Sequence, residues 1–233
     1  MTGETIQVEM GNGDHAEAYL VTPAGSGPWP GLVVLPEIYN ANHWVREVAD
    51  GYAAQGFIAL APDIYWRQQP GQYLQYTPQG QAAGRALGSA MDLQAFSQDM
   101  RSYCTALRAI AGCADRVGAV GFCLGGKLAY LAAARGLVDA GVAYYAVQLE
   151  QHLAEAAALE RPLLMHFAEL DAHVPADKYA QICATLADKA AVEIHLYQGA
   201  DHGFNRFGYP PFHESSATLA LERSVAFLRR HLG

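Results

Sequence analysis

The chain has 233 residues, 52 % of them hydrophobic and 16 % charged, enough apolar material to cover a sheet on both faces. A formal net charge of −8 with the 15 Lys and Arg scattered argues against nucleic-acid binding, which needs clustered cations. The polar stretch from Met1 to Gly13 is unlike a signal peptide and no apolar run is long enough for a membrane span. The four cysteines form no C-x-x-C pair, so the expected compartment is the reducing cytoplasm.

In chain order, the first predicted strands are Ala18 to Thr22 and Gly31 to Pro36, the second running into Glu37-Ile38-Tyr39-Asn40. A helix over Asn42 to Gln55 and a strand over Phe57 to Ala61 follow. Tyr65 to Gly88 breaks the rhythm: it is rich in Gln, Gly, Tyr and Pro, shows no clean helical face, and reads as a pocket rim or lid whose lone cation is Arg85. A helix over Met91 to Ile110 leads to a strand over Val117 to Phe122 and a helix over Leu124 to Ala134. Strands Ala140 to Tyr145, Pro162 to Ala168 and Val192 to Tyr197 alternate with a helix over Ala176 to Lys189. An irregular stretch, His202 to His213, then enters a last helix over Glu214 to Arg230. Short apolar strands alternating with helices predict a mostly parallel sheet covered on both faces, and no linker or repeat divides residues 1–233, so one domain is expected.

The chemistry gathers at strand ends. Val117 to Phe122 runs straight into Cys123 within G-x-C-x-G, followed at once by a helix: a nucleophile elbow with cysteine in place of serine. Gly121 and Gly125 give a tight turn the room it needs. The helix beginning after Cys123 favours thiolate over thiol and offers the Leu124 N–H to an oxyanion. An acid and then a histidine should follow on later strand ends. After Phe167-Ala168 come Glu169, Leu170 and Asp171; after Tyr197 come Asp201 and His202. His202 reads as the base and Asp171 as its partner, with Glu169 and Asp201 as local competitors. His166 and His195 sit inside strands and read as satisfied core or flank residues. Cys104, Cys113 and Cys183 read as apolar filler, and the nine histidines make no metal-ligand pair beside a carboxylate. The loop after Leu35-Pro36 is where such folds find a second oxyanion donor, here the Ile38 N–H. Glu37 stands beside it, able to hold the resting thiol or take its proton and then leave.

Taken together, Leu35-Pro36-Glu37-Ile38, Gly121-Phe122-Cys123-Leu124-Gly125-Gly126, Asp171-Ala172-His173-Val174-Pro175 and His202-Gly203-Phe204-Asn205-Arg206 resemble the dienelactone hydrolase (carboxymethylenebutenolidase) family from about Pro30 to Leu228. The resemblance implies an α/β-hydrolase fold and a monomeric cytoplasmic enzyme that needs no cofactor or metal. It implies opening of the lactone ring of dienelactone to maleylacetate, with Cys123, His202 and Asp171 as triad and Glu37 as gate. Ile38 and Leu124 would be the oxyanion donors, and Arg206 would bind the substrate carboxylate. A second family arginine does not map cleanly here; its position falls near Gln79 to Gln81, and the closest cation, Arg85, would be its substitute in substrate binding. Three alternatives remain on these residues: a hydrolase of another activated ester or lactone, a cysteine–glutamate enzyme acting on reactive aldehydes or amides, and a non-catalytic binding protein. No partner beyond a small anionic lactone or ester is expected.

Overall fold

The computed structural model describes residues 3–11 and 13–233. The chain forms two compact units, the first extending to Ala119 and the second being Val120–Leu232, so that the division falls inside a strand.

The first unit is built on β1 (Glu4–Glu9), β2 (His15–Val21), β3 (Trp29–Leu35) and β4 (Ile58–Pro62), with β5 (Cys113–Phe122) leading out of it. The strand order is β1-β2-β4-β3-β5. β1 pairs antiparallel with β2 (Glu4↔Leu20) and β2 antiparallel with β4 (Ala18↔Pro62), while β3 and β4 run parallel (Gly31↔Ile58). β1 was not expected. Its E-T-I-Q-V-E sequence is that of an edge strand, with only Val8 buried, so it carries too little apolar signal to be seen in isolation. Helices α1 (His43–Ala54) and α3 (Leu93–Ala109) pack on these strands. Both starts are capped by side chains: Asn42 accepts the Val45 amide, and Asp92 accepts those of Gln94 and Ala95.

A second unexpected element, α2 (Pro78–Ser89), lies inside the stretch read as irregular. Its start is signalled by Thr77, which caps the Gly80 amide, and by Pro78 in the first turn. Its buried face consists of Gly80 and Gly84, so hydrophobic periodicity cannot reveal it. A Cβ on Gly84 would stand 2.3 Å from the Ile38 carbonyl oxygen; the helix approaches the end of β3 through the absence of a side chain.

The second unit continues from β5 through α4 (Leu124–Ala134), β6 (Ala140–Tyr144), β7 (Leu163–Ala168), α5 (Ala176–Leu186), β8 (Val192–Tyr197) and α6 (Glu214–Leu232). The order is β5-β6-β7-β8, with parallel registers Gly141↔Leu163 and Leu163↔Val192. Every residue of β6 and β7 is buried, the pattern of strands covered on both faces. All eleven residues of α4 are buried as well, and each fully buried Leu there contributes roughly 1.5–3 kcal/mol. His166 behaves as a satisfied core histidine: its ring nitrogens meet Tyr197 Oη at 2.8 Å and Ser224 Oγ at 2.9 Å, and burial holds it well below the usual imidazole range. Among the described residues no helix is long and apolar enough to cross a membrane.

Candidate active site

The second unit brings three of the expected residues into one hydrogen-bonded chain. β5 ends at Phe122, and Cys123 adopts φ 55°, ψ −113°, a left-handed conformation that a β-carbon-bearing residue enters only under strain. Two glycines make the turn sterically possible. A Cβ on Gly121 would lie 1.9 Å from the Gly125 carbonyl oxygen, and one on Gly126 would lie 2.5 Å from that of Tyr144. The Cys123 amide donates to Tyr144 O at 3.0 Å, extending the β6 pairing to the nucleophile itself. Its carbonyl accepts the Lys127 amide at 3.2 Å, so α4 begins directly beneath the sulfur. The amide of Leu124 is the first of the N–H groups at that helix end that have no acceptor within the helix.

The loops after β7 and β8 are laced together. The Glu169 amide donates to Tyr197 O at 3.0 Å, the Leu170 amide to Ala200 O at 2.8 Å, and the Gly199 amide to Glu169 Oε2 at 2.8 Å. This lacing puts Asp171 Oδ2 2.8 Å from His202 Nδ1. Asp171 Oδ1 accepts the His173 amide at 2.8 Å, so both carboxylate oxygens are engaged in a side chain with no exposed surface. Of the three candidate carboxylates, Glu169 is spent on Gly199, and Asp201 accepts the backbone amide of its own neighbour His202 at 2.6 Å. Asp171 is the one at the imidazole.

With Nδ1 on Asp171, the other face of the His202 ring serves Cys123, to which its side chain is also hydrogen-bonded. The ring is wedged edge-on against Tyr145 (4.7 Å between centroids) and His173 (4.6 Å). Tyr145, which the sequence did not single out, has φ 36° and donates its hydroxyl to Asn205 at 2.6 Å, tying the β6 end to the His202 loop. Burial by itself would lower the pKa of His202. Negative charge at Cys123, the hydrogen bonds that the ring donates to Asp171 and Cys123, and the charge of Asp171 outweigh it and raise the value to about 10. Together they favour the protonated imidazole.

Arg206 follows four residues on, its guanidinium lying against Gly203 at φ 82°; a Cβ there would come within 2.8 Å of an Arg206 nitrogen.

Glu37, Ile38 and Arg85 belong to the first unit. Glu37 is buried and accepts the Tyr76 hydroxyl on Oε2 at 3.0 Å. The Ile38 carbonyl accepts the Tyr65 hydroxyl at 3.1 Å, which anchors the peptide that follows the N–H expected to face an oxyanion. The segment carrying these tyrosines is tied down. Buried Asp63 accepts Asn40 Nδ2, the Tyr65 amide and the Gly71 amide at 2.5, 2.9 and 2.7 Å, and Asn40 itself sits at φ 62°. Arg85 is exposed on α2. Among the described residues no group of three or more His, Cys, Asp or Glu is placed to hold a metal ion.

Residues 16–232 match the family model described as "Dienelactone hydrolase family". The chain belongs to the dienelactone hydrolase family. It is 40 % identical over 236 residues to a protein of Azospirillum brasilense, covering 98 % of this chain and 99 % of the relative. It is 34 % identical over 229 residues to the carboxymethylenebutenolidase of Pseudomonas putida, covering 98 % and 97 %. Among solved structures, a Klebsiella pneumoniae protein superimposes with a TM-score of 0.85 at 26 % identity, covering 99 % of this chain and all of that one (100 %). The fold is the α/β-hydrolase fold, a mostly parallel sheet flanked by helices, and the protein is a hydrolase of this family.

Proposed function

We propose that this hydrolase opens the lactone ring of dienelactone to maleylacetate through a thioester on Cys123. The observation that carries the reading is the hydrogen-bonded chain Cys123–His202–Asp171, which favours the protonated form of His202. The name of the Pseudomonas putida relative supports the substrate class.

In the proposed cycle the substrate carboxylate pairs with Arg206, and Arg85 is assigned as the second cation. The Cys123 thiolate attacks the lactone carbonyl, and the amides of Leu124 and Ile38 are assigned to the resulting oxyanion. The ring C–O bond breaks, leaving a thioester and an enolate. The His202 imidazolium gives its proton to that leaving group and becomes the neutral base, its tautomer fixed by Asp171. It then takes a proton from water as the water adds to the thioester, releasing the carboxylate product and the sulfur. An enolate is stabilised by conjugation, which suits a soft sulfur nucleophile that is weak against unactivated esters. Glu37 is assigned to the resting sulfur as a restraint, until an anionic substrate displaces the carboxylate.

The test is hydrolysis of cis- and trans-dienelactone beside neutral aryl esters, with Cys123→Ser as control. Rapid lactone opening that Cys123→Ser abolishes supports the reading. Preference for neutral esters, or near-normal turnover by Cys123→Ser, overturns it. Alkylation of Cys123 with and without an unreactive carboxylate analogue, in wild type and Glu37→Gln, tests the gate. A thiolate fraction insensitive to the analogue, with wild-type turnover by Glu37→Gln, would remove Glu37 from the mechanism.

A further inference from the structure

His202 has to perform its second task with one of its ties gone. While the sulfur is free, the ring is hydrogen-bonded to both Asp171 and Cys123. Once Cys123 carries an acyl group its sulfur is a neutral thioester, a weak acceptor, and the Nδ1 bond to Asp171 is left to orient an imidazole that can swing about it. A base that takes a proton from water must nonetheless stay within hydrogen-bond reach of that water. A second hold on the ring, one that does not pass through the sulfur, comes from Tyr145.

Tyr145 stands where the end of β6 meets both partners. The peptide between Tyr144 and Tyr145 is engaged on both sides: its carbonyl accepts the Cys123 amide at 3.0 Å, and its N–H donates to the His166 carbonyl at 2.7 Å. The strand end is fixed in the core, where Tyr144 Oη and His166 Nε2 both meet buried Ser224 Oγ, at 2.7 and 2.9 Å. From that anchor the chain departs with φ 36° at Tyr145, a backbone conformation that a tyrosine holds only where its surroundings impose it. The buried side chain reaches the base loop twice. Its ring stands edge-on to His202, 4.7 Å between centroids, and its hydroxyl donates to Asn205 Oδ1 at 2.6 Å, three residues beyond the imidazole. Phe204, next to Asn205, is buried against the same ring at 5.8 Å. His173, which also meets the imidazole edge-on, is exposed and so a looser support.

We infer that Tyr145 is a positioning residue for deacylation: its ring and its hydrogen bond to Asn205 keep His202 in place after the sulfur is acylated, without touching the substrate. Nucleophile and base are thereby joined in two ways. One is the direct contact of sulfur and imidazole in the free enzyme; the other, through the Tyr144–Tyr145 peptide and the Tyr145 side chain, persists at every stage. Attack by sulfur starts with the direct contact in place and has little need of the second link, whereas attack by water depends on it. The inference rests on the Cys123–His202–Asp171 reading proposed above, but not on dienelactone as the substrate.

The experiment separates the two half-reactions with p-nitrophenyl acetate, an activated ester without a carboxylate, so that changes at Arg206 stay silent; dienelactone takes its place if the ester does not acylate the wild type. At saturation, kcat and the fraction of enzyme acylated on Cys123, read by mass spectrometry of quenched samples, together give both rate constants. Tyr145→Phe keeps the ring and deletes the hydroxyl. It should slow deacylation by about threefold to tenfold, the effect of one neutral hydrogen bond, leave acylation within about twofold, and raise the acylated fraction. Asn205→Leu should do the same, and the double variant should be no slower than either single one, because both substitutions remove one bond. A general loss of packing would instead lower both rate constants, and the two effects would add. Unchanged deacylation in Tyr145→Phe, an equal fall in both rate constants, or additive effects of the two substitutions overturns the inference. If Tyr145→Phe does not fold, the half-reactions of Asn205→Leu decide. Ester hydrolysis surviving in Cys123→Ala removes the nucleophile reading and this inference with it, whereas a wild-type acyl group on Cys123 beside unchanged Tyr145→Phe kinetics removes the inference alone.

Discussion

Asp171→Asn preserves shape and changes what one atom can do, which makes it a sharp probe of the base. Oδ1 of Asp171 accepts the His173 amide and Oδ2 meets His202 Nδ1, both at 2.8 Å, in a side chain closed to solvent. An asparagine that keeps its oxygen on the His173 amide must turn its NH2 toward His202. Nδ1 then becomes an acceptor, the ring proton moves to Nε2, and no lone pair is left there to take a proton from water. The opposite orientation sets the NH2 against the His173 amide, leaving two donors face to face. A hydrogen bond to a charged group contributes about 1.5–3 kcal/mol, equivalent to a fall of about one to two units in the pKa of His202. The value should therefore descend from about 10 toward the ordinary imidazole range. The tautomer change matters more for deacylation than for attack by sulfur, so turnover should fall by about a hundredfold to ten-thousandfold while a thioester accumulates on Cys123. Dienelactone consumption followed by ultraviolet absorbance, with intact-protein mass spectrometry of quenched samples, measures both. Turnover within about threefold of wild type, or a large loss with no accumulated thioester, would refute the reasoning.

Arg206→Ala should raise KM for a carboxylate-bearing lactone by about tenfold to a hundredfold and leave a neutral aryl ester almost unaffected; steady-state kinetics on the pair of substrates decides. Gly121→Ala forces a Cβ to within 1.9 Å of the Gly125 carbonyl oxygen, so a loss of about 3 kcal/mol or more should appear as a lower urea midpoint. Because the pKa of His202 is raised from 6.5 to about 10, its contribution to stability is complete below the lower value and is lost as pH rises through the upper one. The melting-temperature advantage of wild type over His202→Gln should accordingly shrink between about pH 7 and about pH 10, and a constant or growing difference would contradict the assigned proton affinity.

The elbow was legible because its causes are local: an apolar strand, glycines where backbone must pass close to backbone, and a helix that starts at once. The same locality placed Asp171 and His202 at strand ends in the expected order. It favoured Asp171 but left Glu169 and Asp201 as competitors, since the three crowd two strand ends within a few residues of each other. That choice depends on the lacing of the β7 and β8 loops, which spends Glu169 on the Gly199 amide and Asp201 on the amide of His202. β1 and α2 stayed hidden for opposite reasons. β1 is a polar edge strand with one buried side chain, and α2 packs through glycines, so neither writes an apolar period into the sequence. Lys127 shows the limit most clearly. Its spacing from Cys123 can be read from the chain, but a lysine four residues into a helix is ordinarily solvated. Only the packing of α4, which closes every side of that helix, turns the lysine into a buried side chain whose ammonium donates to Gln148.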